Sequence, residues 1–284
     1  MKKYILGLLC LLTGGIAIFI YQHLTVYKTP EVLFQDAQKA EFQKLDFSPA
    51  WQCFQNDEVT PTPNREFRLL SWNIHKGEDP NWQQDLQAFA KQKDFVLLQE
   101  ATSTQQIPQQ QPAFNTFLHL FAFQYRDQKS GILNLSTLDA DRYCLNSSLE
   151  PLLRLPKLMS AMRFPFENGK SLLLINIHLI NFDLTNYSYQ KQLDSLKNLV
   201  QQHQGAVILA GDFNTWNETR KTKLSELTQA LMLTEIPLKP DNRITVFGHS
   251  LDYLFARNII VHSATSHRVK SSDHNPLELH FSLE

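Results

Sequence analysis

The chain has 284 residues, 43% of them hydrophobic, which is enough for a substantial core in one large domain or two small ones. Its formal net charge is −1, and from residue 65 onward 22 basic residues balance 22 acidic ones. Sequence-independent duplex binding relies on Lys and Arg neutralising phosphates, so this balance argues against a high-affinity binder of that kind.

The N-terminus is set apart. Met1-Lys2-Lys3 precedes residues 4–21, an uncharged and mostly apolar run. As a helix that run would extend about 27 Å, near the hydrocarbon thickness of a bilayer. The two lysines favour a cytoplasmic N-terminus. A cleaved signal peptide is the alternative, but Gln22-His23-Leu24-Thr25 comes next instead of an A-x-A-like site. Cys10 would suit a lipoprotein, except that Leu9 stands where a small residue is expected. The expectation is an uncleaved single-pass anchor over residues 1–24, with the rest of the chain facing away from the cytoplasm. Outside the apolar run the only cysteines are Cys53 and Cys144. In an oxidising compartment they can pair, and otherwise they remain two thiols. Neither has zinc-ligand spacing with another cysteine or histidine.

Residues 25–64 read as an irregular, partly helical linker. Residues 31–45 suit one amphipathic helix, and Pro49, Pro61 and Pro63 interrupt the stretch after it. From residue 65 apolar runs alternate with helical windows. Strands are predicted at 67–74, 94–99, 132–135, 160–164, 172–177, 206–210, 251–256, 259–263 and 277–281. Helices are predicted at 82–92, 187–203 and 221–233; the second places Leu193, Leu196, Leu199 and Val200 on one face. Several strands are adjacent with short connections. That argues against a purely parallel sheet and for a single domain over 65–284, an α/β sandwich of two packed mixed sheets with helices outside.

Polar strings stand at the ends of six of these runs, four closing a strand and two opening one. Asn73 ends the first strand and Glu100 the second. His178 ends Asn176-Ile177-His178. Gly211-Asp212-Phe213-Asn214-Thr215 supplies Asp212 and Asn214, two residues apart and therefore facing the same way if the strand persists. Leu251-Asp252-Tyr253 supplies Asp252, and Ser272-Asp273-His274-Asn275-Pro276 supplies Asp273 and His274. Taken singly, each suits a turn, a cap or a core polar group. As a set they provide carboxylates for a hard cation, amides and histidines for phosphate oxygens, and a carboxylate to orient a histidine. Arg220, Lys221 and Lys223 lie just beyond the GDFNT string and suit either an anionic substrate or a solvated helix start.

The ordered strings WN, QE, NIHL, GDFN, LDY and SDHNP resemble the endonuclease/exonuclease/phosphatase superfamily with its DNase I-like, four-layer fold. NIHxxNF at residues 176–182 and SDHNP resemble its YafD-like bacterial branch in particular. The resemblance implies that Glu100 binds Mg²⁺ (Mn²⁺ as the alternative), with Asn73 nearby and Asp273 a second metal-linked carboxylate. It implies that Asp212 orients or deprotonates water, that Asn214, His178 and His274 contact phosphate, and that Asp252 orients His274. Some family nucleases carry an acidic residue where this chain has His75, followed by Lys76, which weakens transfer from abasic-site nucleases. The implied activity is metal-assisted phosphodiester hydrolysis. The substrate is a nucleic acid, slightly favoured by the family, or a phospholipid or phosphorylated metabolite. In a bacterium the anchor would lie in the inner membrane and the catalytic domain in the periplasm. No protein partner is implied. A non-catalytic scaffold on the same fold would be marked by loss of Glu100, the Asp212/Asn214 pair or His274, and all are retained.

Overall fold

A computed structural model describes residues 19, 21–35, 40–44, 50–56 and 58–284. The strands are β1 (Leu24–Gln35), β2 (Ala40–Lys44), β3 (Gln52–Gln55), β4 (Phe67–Asn73), β5 (Phe95–Thr102), β6 (Thr116–Tyr125), β7 (Gln128–Ser136), β8 (Arg142–Leu149), β9 (Pro156–Pro165), β10 (Ser171–His178), β11 (Ala206–Asp212), β12 (Thr234–Glu235), β13 (Thr245–Val246), β14 (His249–Ser250), β15 (Asp252–Arg257), β16 (Ile259–Ser266) and β17 (Leu277–Leu283). The main helices are α1 (Trp82–Ala90), α2 (Tyr187–Gln201) and α3 (Glu218–Ala230).

Period-two alternation decides how these elements stack. In β4, Phe67 and Leu69 face one core while Leu70 and Trp72 face another. In β10, Leu172 and Leu174 oppose Leu173 and Ile175 in the same way. Strands that are apolar on both faces need cover on both sides. One sheet has the order β16-β17-β4-β5-β7-β6-β1-β2 and the other β12-β15-β11-β10-β9-β8-β3. Their inner faces meet in the largest core cluster. Leu86 and Ala90 of α1 cover the outside of the first sheet. Leu193, Leu196 and Val200 of α2, with Leu224 and Leu227 of α3, cover the outside of the second. The expected helix–sheet–sheet–helix layering is therefore present.

Each sheet contains one parallel pair, β4 with β5 and β10 with β11. Along the inner faces toward the carboxyl ends, apolar residues give way to Asn73, Gln99, Asn176, His178 and Asp212, all buried. Gln99 Nε2 donates across the inter-sheet gap to Asn176 Oδ1 at 2.7 Å. Asn176 Nδ2 donates to Asn134 Oδ1 at 2.8 Å, and Ser160 Oγ donates to the same oxygen at 3.1 Å. A buried polar network of this kind fixes how the two sheets sit on each other just below the site.

The helix expected over 31–45 is not formed. Residues 31–35 continue β1, and residues 40–44 return antiparallel to it as β2. The edge of β6 accepts β1 as a partner, and Val32 and Phe34 alternate into the inter-sheet core. Sheet pairing outweighs the weak helical pattern. Strands β3, β6 and β8 also lie outside the predicted set. Cys53 and Cys144 stand opposite each other in β3 and β8 and are joined as a disulfide. The apolar run of residues 4–21 lies, except for Phe19 and Tyr21, outside the described residues. No described helix is long and apolar enough to cross a membrane.

One buried histidine sets an acid limit on stability. His119 of β6 is buried against Phe121, with ring centroids 4.0 Å apart, and its Nε2 has no partner among the described residues. Burial depresses its pKa from 6.5 to about 3 against the opposing pull of the Ala101 backbone. Below pH 6.5 the unfolded chain takes up a proton that the folded chain refuses. Its stabilising contribution is therefore whole above pH 6.5 and falls by about 1.4 kcal/mol per pH unit toward pH 3. In urea melts at pH 7, 5 and 4, His119→Leu is expected to lose less stability on acidification than the parent. Equal losses in the two proteins would refute this assignment.

Candidate active site

Register places three of the predicted residues in one row. His178 of β10 pairs with Asp212 of β11, and Asp212 pairs with Asp252 of β15. Neighbours in one row present side chains to the same face. Gly211 makes the row possible. It sits at φ 134°, and a Cβ there would lie 2.1 Å from the Ile177 carbonyl oxygen. Only glycine lets β11 approach β10 so closely at this point.

Glu100 arrives from the other sheet by a different device. Strict alternation after the inward Gln99 would turn it outward. A β-bulge between Gln99 and Ala101, with Glu100 at φ 58°, breaks that alternation. The carboxylate comes within 3.9 Å of His178 Nε2 and pairs with the Lys76 ammonium. Lys76 itself lies at φ 54° and Asn214 at φ 50°. Glu100, Lys76 and Asn214 thus each hold left-handed, non-glycine backbone at the site.

Asp212 is the hub. Its Oδ1 accepts from the Asn214 backbone N–H at 2.9 Å. Its Oδ2 accepts from Asn214 Nδ2 at 3.2 Å and from Asn73 Nδ2 at 3.3 Å. His178 Nε2 lies 3.5 Å from Oδ2 and His274 Nε2 lies 4.0 Å from it. Asp252 Oδ2 holds His274 Nδ1 at 2.7 Å. The loop that carries His274 is fixed by its own polar residues: Ser272 Oγ donates to the Asn73 carbonyl, and Trp72 Nε1 donates to the His274 carbonyl. The tryptophan of the first string thus anchors the last string.

These contacts set the charges. Burial alone would lower the His274 pKa, but Asp252 first and then Asp212 and Asp273 raise it to about 10, so the ring is an imidazolium at neutral pH. Burial, joined by Lys157, drops His178 to about 4 and leaves it neutral. Burial raises Glu100, yet His178, Lys76 and Lys157 together pull it down to about 2. Because His178 is itself neutral near pH 7, the two lysines are the cations that act on Glu100 there. Burial lifts Asp212 above the ordinary carboxylate range despite His274 and His178, which makes it a stronger proton acceptor.

Glu100, Asn73, His178, Asp212, Asn214, Asp252 and His274 therefore converge. Asp273 stands at the rim, half-exposed and 3.9 Å from His75 Nδ1. The Asn73 side chain bonds Asp212 and the His75 N–H rather than Glu100. Among the described residues no three His, Cys, Asp or Glu side chains form a metal cage. Glu100 as a single carboxylate donor is compatible with Mg²⁺, an ion that binds through one or two carboxylates and completes its shell with water and phosphate oxygens. In this structure the Lys76 ammonium pairs with Glu100.

Arg220 serves neither purpose considered for it. It is fully buried, lies over the Tyr189 and Trp216 rings, and donates to the carbonyls of Ile180, Asn181 and Asn214 at 2.8 Å. Lys223 bonds Gln190, and Lys221 is exposed. A readable signal existed in the spacing of Arg220, Leu224 and Leu227, which is the buried stripe of α3. Lys157, whose Nζ lies 2.8 Å from His178 Nε2, had no such signal and was missed.

Residues 70–274 match the model of the Endonuclease/Exonuclease/phosphatase family. The UPF0294 protein of Vibrio parahaemolyticus is 32% identical over 286 residues, covering 99% of each chain. That of Klebsiella pneumoniae is 36% identical over 229 residues, covering 78% of this chain and 85% of its own. Among solved structures, an endonuclease/exonuclease/phosphatase from Beutenbergia cavernae has a TM-score of 0.59 at 16% identity, over 77% of this chain and 72% of that one. TDP2 of D. rerio, complexed with a single-strand DNA product, has a TM-score of 0.55 at 15% identity, over 76% of this chain and 98% of that one. At such identities the structural likeness is one of fold.

Proposed function

The chain belongs to the endonuclease/exonuclease/phosphatase family, and on that premise we propose that it is a divalent-metal-dependent phosphodiesterase anchored in the membrane by residues 4–21. The observation that carries the reading is the meeting of Glu100, His178, Asp212 and the His274–Asp252 pair at the carboxyl ends of two parallel strand pairs. Mg²⁺, with Mn²⁺ the alternative, would be held by Glu100 and assisted by Asp273 and Asn73, and would supply Lewis acidity toward a phosphoryl oxygen.

The chain's own groups do the rest. Asp212, held by Asn73 and Asn214, orients a water and accepts its proton. The His274 imidazolium, fixed by Asp252, donates a hydrogen bond where charge develops on phosphate oxygen. Neutral His178 and the Asn214 amide position the phosphate. The Cys53–Cys144 disulfide supports a domain outside the cytoplasm.

Hydrolysis of bis-(p-nitrophenyl) phosphate by the full chain in detergent tests this. Activity is expected with Mg²⁺ or Mn²⁺, a drop of at least roughly 10²-fold on chelation, and recovery on re-addition. It is also expected to sediment with membranes and to be reached by substrate from outside intact spheroplasts. A folded sample that is inert with every divalent ion would sink the hydrolase reading. Activity confined to the cytoplasmic face would sink the topology.

A further inference from the structure

A cavity of about 220 Å³ opens off the site. One end is ionic, lined by Glu100, His178, Lys76 and Lys157. The rest of the lining is mostly apolar, with Phe123, Ile132, Leu153, Leu155, Pro156 and Phe182, and also includes Glu150 and Asn181. Pro156 also lines a second groove of about 480 Å³, together with Val26, Tyr27 and Leu149 and the basic Lys28 and Arg154. Apolar lining, with Glu150 in the cavity and two basic side chains in the groove, thus leads away from the phosphate site toward the start of β1, shortly after the apolar run 4–21 of the sequence.

The apolar rim is built rather than slack. Leu153 is 50% exposed and Phe182 45%, and Leu184, on the same loop as Phe182 but outside the cavity lining, 86%. Yet the loop that carries Phe182 and Leu184 is fastened on both sides. Glu150, itself buried, accepts from the backbone N–H groups of Asn181 and Phe182, both at 2.8 Å, and so ties this loop to the 150–155 turn. Arg220 holds the Ile180 and Asn181 carbonyls, and Asp183 caps α2 through the Ser188 and Tyr189 N–H groups. A polar frame this complete presents large apolar side chains to solvent beside an ionic site. Exposed apolar surface in such a setting marks a binding surface.

We infer that the substrate is an amphiphilic phosphoester, a membrane phospholipid in class, whose phosphate lies at Glu100, His178 and Lys157 and whose apolar chain occupies the cavity. The inference rests on the hydrolase reading above. Both lysines of the cavity lie with Glu100 and His178, where one phosphate is neutralised; Lys28 and Arg154 of the adjoining groove add two cations, and the chain as a whole has no basic surplus to track a polyanion. With residues 4–21 in a bilayer, the groove beside Val26 would open at the lipid surface.

The test uses the full chain with Mg²⁺ and p-nitrophenyl phosphodiesters carrying methyl, butyl or octyl chains. In each, a water oxygen bonds to phosphorus and the aryl P–O bond breaks. The alkyl phosphate and p-nitrophenolate leave, and the water's proton passes to solvent. From methyl to octyl, kcat/KM is expected to rise at least about tenfold, within a ceiling of about fourfold per methylene. Leu153→Glu and Phe182→Glu should each flatten that rise, while Met232→Glu, at a site 76% exposed and away from the cavity, should keep it. Equal rates for all three esters, or faster cleavage of a single-stranded DNA oligonucleotide than of the octyl ester, would overturn the lipid inference and leave the hydrolase standing. A full rise retained in both cavity variants would overturn the cavity as the chain's seat. No cleavage of any ester would bring down the hydrolase reading and this inference with it.

Discussion

Asp212→Asn is expected to lower kcat for metal-dependent phosphodiester hydrolysis by roughly 10²–10⁴-fold, the range of a positioned proton acceptor, in a protein that still folds. The substitution is nearly isosteric, so Oδ1 can go on accepting from the Asn214 N–H. On the other side two amide donors, Asn73 Nδ2 and Asn214 Nδ2, now share Oδ2. A new amide cannot accept at both of its ends, so with Oδ1 kept on the Asn214 N–H both of these donors lose their acceptor, at a cost of about 1–3 kcal/mol each. The chemistry loses as well. A carboxylate lifted by burial is replaced by a group that takes no proton at any working pH. A rate measured with saturating substrate separates the two effects, because a binding loss alone would raise KM and leave kcat intact. A wild-type kcat in the folded variant would remove Asp212 from the proposed role.

Much of this site is readable in the sequence, and the reason is alternation. Asn73, Asn176, His178 and Asp212 each continue the inward phase of an apolar strand, so their common face comes from counting by twos. Gly211 is explicable only once β10 is seen beside it, since nothing local tells of the Ile177 carbonyl 2.1 Å from its missing Cβ. Glu100 breaks the count, and the bulge that turns it inward is a property of β5 against β7. Its place at the end of a strand singled it out, and the family's motif gave it a metal role; periodicity did neither. Residues 31–45 failed for the opposite reason: a plausible helical face was present, and the open edge of β6 decided otherwise. Lys157 reaches His178 along a flexible stem from a strand start, a contact that no spacing encodes.

Arg220 offers the sharper contrast between the sequence and the fold. Arg220→Ala is expected to destabilise the protein by about 3–5 kcal/mol, as for removal of a buried, fully bonded charge, and to lower the melting temperature by roughly 10 °C for a chain of this size. Its guanidinium fork spans the carbonyls of Ile180, Asn181 and Asn214 and the Asn186 side chain. Alanine would leave those acceptors without donors and the Tyr189 and Trp216 rings facing a void. Activity should fall with stability even where the variant is still folded. The Asn214 carbonyl fixes a residue at φ 50°, and the same fork sets the loop beside the phosphate site. Arg220→Lys should recover part of the melting temperature and little of the rate. An ammonium fills the space and keeps the charge, but it cannot reproduce the planar fork. The other reading of this basic cluster, an exposed anion contact, predicts the reverse: an unchanged melt with a raised KM. Thermal melts of the two variants beside their kcat and KM decide between a buried tie and a substrate ligand. A wild-type melt for Arg220→Ala would refute the tie.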